Sequence, residues 1–199
     1  MRTILSLLSL LVLVSGCGSE NLTVTNPTPV PKIWPLKVGN QWTLENRVTD
    51  SLGDLVRVDT SVVLIAKDTV IQQETWYIPT VNGVRDPDMN LVTNRNSGLW
   101  QGGSNGYLLF KYPAKAGDTY VIPMGKATVL SVNDTMQVPV GTFICHTYKW
   151  VGDGEVNRAF QWQYFAPGVG WVASVEFYKT PGGTVYPGVY HLLISYELK

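Results

Sequence analysis

From Trp34 onward, short runs alternating apolar and polar residues are separated by turn signals. Val56, Val58, Thr60, Val62 and Leu64 share one face of such a run, with Arg57, Asp59 and Ser61 on the other. A period of two marks a strand. Asp50-Ser51-Leu52-Gly53-Asp54 would join it to a preceding strand at 41–48 as a hairpin loop. The run 75–81 ends at Asn82-Gly83, a strong short-range hairpin signal. Further strands are expected near 89–93, 107–112, 127–132, 142–151, 158–165, 171–178 and 189–198. Residues 152–155 and Pro181-Gly182-Gly183 read as turns, and 94–106, rich in Asn, Ser and Gly, as a long loop or irregular hairpin. No stretch shows a helical stripe.

Trp171, Ala173, Val175 and Phe177 alternate with Val172, Ser174, Glu176 and Tyr178. In the last run Tyr190, Leu192, Ile194, Tyr196 and Leu198 alternate with His191, Ser195 and Glu197. One face of each strand is therefore expected in a core and the other in water. Val and Thr number 26 and 18, against 7 Ala and 6 Glu, a bias toward β-branched residues and away from helix formers. The fold class expected is all-β, a single antiparallel β-sandwich or a strongly curved, partly closed β-barrel, with little or no helix. Lys+Arg and Asp+Glu are both 15, which removes the basic surplus a nucleic-acid binder needs. Hydrophobic residues at 45% are enough to build a core.

The N-terminus carries an address. Met1-Arg2-Thr3 precedes an apolar run from Ile4 to Val14, then Ser15-Gly16-Cys17. That is the layout of a secretory signal, too short to span a bilayer. Val14-Ser15-Gly16-Cys17 resembles the lipobox of bacterial lipoproteins, which implies cleavage before Cys17 and acylation of its sulfur and amine. Two or three acyl chains anchor durably where one does not. Gly18 rather than Asp after the cysteine favours, by the same resemblance, the outer membrane. The expected organisation is a signal peptide at 1–16, a lipidated Cys17 with a Pro-containing tether through 33, and one β domain at 34–199. Pro27, Pro29 and Pro31 stiffen a tether that reaches roughly 50 Å. With Cys17 acylated, Cys145 has no partner and is expected as a buried thiol.

Three blocks then stand out. Pro35-Leu36-Lys37-Val38-Gly39-Asn40-Gln41-Trp42 opens the domain, Val138-Pro139-Val140-Gly141-Thr142-Phe143-Ile144-Cys145 follows, and Tyr164-Phe165-Ala166-Pro167-Gly168-Val169-Gly170-Trp171-Val172 comes later. Together they resemble a class of uncharacterised bacterial secreted proteins and lipoproteins with PLxxGNxW, VPxGTFxC and YxAPGVGxV blocks. Trp171 stands where a smaller apolar residue is usual. The resemblance implies a β-rich single domain and carries over no activity. Each block also has a structural reading: Gly39-Asn40 turns Trp42 into the core, Pro139 and Gly141 permit a bend between paired strands, and Pro167, Gly168 and Gly170 build a tight turn.

Candidate chemistry is thin. His146 and His191 each sit on an expected strand without a second ligand at metal spacing. Both read as surface-facing, and no metal or cofactor is expected. Acid pairs occur at Asp86/Asp88 and Asp153/Glu155, and a hydrolase would need them to meet across a cleft. No nucleophile elbow, metalloprotease helix or phosphate loop is present. Aromatic residues give more. His146, Tyr148 and Trp150 share one strand face opposite Phe143 and Cys145, while Phe160, Trp162 and Tyr164 share another. Such faces fill cores or edges, or hold apolar ligands and sugars. Trp100, His146, Tyr148, Trp150 and Trp162 are thus the candidate ligand-binding residues. The expectation is a monomeric, non-catalytic binding module for an apolar or glycan ligand or an envelope partner. The alternatives are a purely structural or protein-interaction envelope lipoprotein, and a hydrolase using loop carboxylates.

Overall fold

A computed structural model of the chain describes residues 30–85, 91–123, 125–152 and 157–199. The signal segment, Cys17, the tether up to 29 and both acid pairs fall outside them. Among the described residues there are thirteen strands: β1 (Gln41–Thr49), β2 (Leu55–Ile71), β3 (Glu74–Val81), β4 (Val84–Arg85), β5 (Val92–Arg95), β6 (Gly98–Gln101), β7 (Tyr107–Lys111), β8 (Thr119–Ile122), β9 (Gly125–Val138), β10 (Gly141–Gly152), β11 (Arg158–Ala166), β12 (Gly170–Lys179) and β13 (Val185–Glu197). One 3-10 turn, Gly103–Asn105, interrupts them.

Every pairing is antiparallel, in the order β7-β6-β5-β3-β2-β1-β13-β12-β11-β10-β9-β8, with β4 beside β3. The two end strands are bridged by a side chain rather than a backbone ladder. Tyr120 of β8 donates its hydroxyl to the Leu109 carbonyl at 2.9 Å and accepts the Lys111 N–H at 3.3 Å. The Lys111 ammonium pairs with Asp118 at 3.0 Å beside it. The sheet is thus a nearly closed barrel, and of the two architectures expected it is the curved one.

The core begins where the chain enters the domain. Gly39 takes φ 91°, a conformation that suits glycine, and the turn delivers Trp42 fully buried. The Trp42 indole donates to the Val169 carbonyl at 2.7 Å and meets Trp34 edge-on at 5.3 Å. Gly170 is required here, because a Cβ on it would lie 2.4 Å from the Trp34 ring. Ile33, assigned to the tether from sequence, is buried with Trp34, so the domain starts earlier than expected. An apolar side chain beside that indole gains more from burial than from extending a linker.

Two strands run out of phase with their expected faces. On β2 the buried residues are Val63 and Ile65, while Val56 and Val58 are 66% and 49% exposed. The interior face is set by Trp42 and Leu44, whose β2 partners are Val63 and Ser61. On β13 a register shift opposite Thr43 and Leu44 puts Leu193, not Leu192 or Ile194, in the core. On β12 both faces are covered at mid-strand, with Val172, Ala173, Ser174 and Val175 all buried. The four-residue strand β8 is not among the expected strands, and β6 pairs with β5 as a hairpin in the region expected as a long loop or irregular hairpin.

Candidate functional site

Cross-strand partners in an antiparallel sheet point to the same side. Asp59 of β2 pairs with Asn46 of β1, Asn46 with His191 of β13, His191 with Ser174 of β12, and Ser174 with Gln163 of β11. The adjacent row carries Arg57, Val48, Val189, Glu176 and Gln161 in the same order. These rows lie on the face that bears Leu44, Leu193 and Phe165, so they continue the core surface. There the lining turns from apolar to polar.

Glu176 is the centre of this region, with a side chain only 13% exposed. Its Oε2 accepts the Tyr178 hydroxyl at 2.6 Å and lies 3.2 Å from the Arg158 guanidinium. Its Oε1 is 3.5 Å from the Gln161 amide nitrogen and 3.6 Å from His191 Nε2. Burial pushes the Glu176 carboxyl up, but His191, Tyr178 and Arg158 outweigh it and hold the group below the usual carboxylate range. Burial, then the neighbouring carboxylate, pushes the Tyr178 phenol up to about 12. Gly188 makes the Tyr178 position available: a Cβ there would lie 2.7 Å from the ring. Tyr186 flanks it at 6.3 Å between centroids.

The second carboxylate is reached through Asn46. His191 Nδ1 donates to Asn46 Oδ1 at 2.7 Å, and Asn46 Nδ2 donates to Asp59 Oδ1 at 2.6 Å. Asp59 Oδ2 pairs with Arg57 at 2.9 Å, at the exposed rim. The Ser174 hydroxyl is fully buried with no hydrogen-bond partner among the described residues. Both His191 nitrogens already face oxygens, and neither bonds the Ser174 hydroxyl. The array therefore offers fixed donors and acceptors rather than a nucleophile paired with its base.

The five residues singled out from sequence go to three separate places. Tyr148 is fully buried, donating to the Lys111 carbonyl at 2.8 Å. Trp150 stacks on Phe110 at 5.0 Å. His146 meets the Tyr112 ring edge-on at 5.1 Å, and burial lowers its pKa. This trio closes the barrel seam, on the core face rather than the outside. Trp162 lies on the opposite face of β11, against Phe177 at 4.8 Å and near Phe160, over which the Lys149 ammonium sits at 4.3 Å. Trp100 on β6 covers the Arg95 guanidinium at 4.5 Å, which is also held by Glu74 at 2.7 and 2.8 Å.

His191, expected at the surface, is 22% exposed and central to the network. Cys145 is buried as expected, and burial with Asp134 nearby pushes its thiol up to about 12. Sequence reasoning missed Glu176, Asn46, Asp59, Arg158 and Tyr178 as a group. The one available signal was that Leu193 and His191 share a face.

Two grooves are also present. One of about 390 Å³ lies on the outer face between Leu55, Val58, Arg47, Tyr190 and Leu192. Another of about 930 Å³ lies beside the domain entry, lined by Pro35, Lys37, Asn40, Tyr77 and Lys199 among others.

No family model and no curated protein matches the chain. Among solved structures, it is similar to a Bacteroides fragilis protein described as exported with a YmcC-like fold. The TM-score is 0.48 with 13% identity, covering 84% of this chain and all of that one. A Parabacteroides distasonis protein described as a lipoprotein aligns with TM-score 0.43 and 14% identity, covering 85% of this chain and all of that one.

Proposed function

We propose that this chain is a lipid-anchored protein of the bacterial cell envelope, at the outer membrane, whose barrel binds a glycan without chemistry. The anchor rests on the lipobox-like Val14-Ser15-Gly16-Cys17. The binding role rests on one observation, the in-register convergence of Glu176, His191, Asn46, Asp59 and Gln161 on a face that is otherwise core, joined by Arg158 through its ion pair with Glu176. Carboxylates accept, a guanidinium donates, and amides do both. Sugar hydroxyls also donate and accept, so a polyhydroxylated ligand suits this set better than an apolar one. Tyr178 and Tyr186 supply aromatic surface beside it. Charge-assisted hydrogen bonds would carry the affinity.

The test uses the full chain, with soluble oligosaccharides released from bacterial peptidoglycan and lipopolysaccharide as probes and native mass spectrometry as readout. A reproducible sugar adduct is expected, lost in Glu176→Gln and kept in Trp162→Ala, which lies on the other face. An adduct that survives Glu176→Gln, or none with either glycan, sinks the reading. Cys17→Ala is expected to release the protein from membranes, and retention would remove the anchor.

A further inference from the structure

Strand β2 is longer than its neighbours need. It pairs with β1 through Leu55 and with β3 only as far as Val63. At Val62 the β3 side ends in a cap: the Asn82 side chain accepts the Val62 N–H at 2.8 Å, and the Asn82 N–H reaches the Val62 carbonyl at 2.8 Å. Val62 thus turns its backbone groups away from β1. With a period of two, Thr60 and Val58 turn theirs the same way. No strand among the described residues stands there. Leu55, Val56 and Val58 are 59%, 66% and 49% exposed along this stretch. An apolar edge with open backbone donors and acceptors is a template for strand addition.

We infer that this edge pairs with the same edge of a second copy of the chain, antiparallel and centred on Val58, in contrast to the monomer expected from sequence. Charge selects both the occupant and the register. Centred on Val58, each Arg57 stands opposite Asp59 of the second copy, giving two crossed ion pairs, and Val56 stands opposite Thr60. Centred one residue later, Asp59 would face Asp59, which like-charge repulsion disfavours. Arg57 and Asp59 are 67% and 45% exposed at their side chains, so both can reach across. A single strand pair buries less than the roughly 1,000 Å² of a stable interface. Confinement of anchored copies to a membrane raises their effective concentration and favours the pair there.

The experiment uses the full chain in bacterial membranes with one added cysteine, mild oxidation and a non-reducing gel. The unaltered chain sets the background, and Cys145 is silent because it is buried. In the proposed register the two Val58 Cα atoms stand about 5.5 Å apart, within the span of about 4.4–6.8 Å that a disulfide bridges. Val58→Cys is expected to give a dimer band several-fold stronger than Val121→Cys, a control on β8 that is more exposed than Val58, and stronger than Asp59→Cys. Adding Thr60→Pro should abolish it, since proline removes an outward N–H and leaves the β1 ladder intact. Circular dichroism checks that this variant folds. Equal bands for Val58→Cys and Val121→Cys, a stronger band for Asp59→Cys, or indifference to Thr60→Pro in the folded protein would overturn the inference.

Discussion

Trp42 and Asn46 stand on the same face of β1, yet they begin two different regions. Around Trp42 the partners are Leu44, Val63, Leu193 and Phe165, and the face is closed by aromatic edges. Around Asn46 the partners are Asp59, His191 and Glu176, and the face is held by charge and hydrogen bonds. The register of β1 with β2 is the same in both halves, and with β13 it is continuous from Leu44 through Asn46, so the contrast lies chiefly in the side chains. The apolar end has spent its surface on packing. The polar end holds charged groups at the cost of desolvating them, and its outermost members, Asp59 and Arg57, still face water. Buried charge pairs of that kind need not add net stability.

Truncation at the apolar end should have the largest effect. Trp42→Ala removes a fully buried indole and its bond to Val169. Loss of about 3–5 kcal/mol is expected, as for other large aromatic truncations, measured by urea unfolding. A loss as small as that of an exposed substitution would mean Trp42 is not the keystone of this end.

Glu176→Gln tests the polar end at intermediate size. The carboxylate bonds Tyr178 and pairs with Arg158 and His191, so neutralising it should cost about 1–3 kcal/mol at pH 7. Its folded pKa lies below the ordinary carboxylate value. The stability it contributes is therefore present above an unfolded pKa of about 4.3 and lost as pH falls through the lower folded value. Wild-type and variant stabilities should converge in acid. Parallel curves down to the acid limit would show that Glu176 is not held as an ion in the folded state.

The same contrast explains what the sequence discloses. The hairpin at Asn82-Gly83 was legible because both residues take positive φ, 51° and 77°, and few residues tolerate that. The burial of Trp42 and the all-β class were legible from short-range chemistry. Burial phase was not, because it depends on partners. Val56 and Val58 look like core residues until Leu44 and Ser61 fix the β2 register. The four residues of β6 carry too little pattern to separate a strand from a Gly-rich loop. The polar mouth was least legible: its members run from Asn46 to His191 across five strands, and each alone reads as a solvent-facing alternate. The aromatic trio at His146, Tyr148 and Trp150 was seen as one face, but the Phe110 that closes over it lies some forty residues earlier.

The smallest expected effect sharpens the comparison most, because it moves one ring at the polar end and leaves the apolar end alone. Gly188→Ala would place a Cβ 2.7 Å from Tyr178 Cδ2, so the ring must swing off the backbone. Its bond to Glu176 at 2.6 Å would break. Stability should fall by about 1 kcal/mol, the low end for overpacking, since Tyr178 is not walled in by the core. The phenol, pushed up to about 12 by burial and by Glu176, should then ionise nearer the ordinary value of about 10. Absorbance titration in alkali, read as the difference from Tyr178→Phe in each background, isolates this group. The near-ultraviolet dichroism of the buried tryptophans should stay unchanged. A tyrosine titration that does not move would mean that Gly188 does not hold Tyr178 over the carboxylate, and that the polar end is ordered by Arg158 and His191 alone.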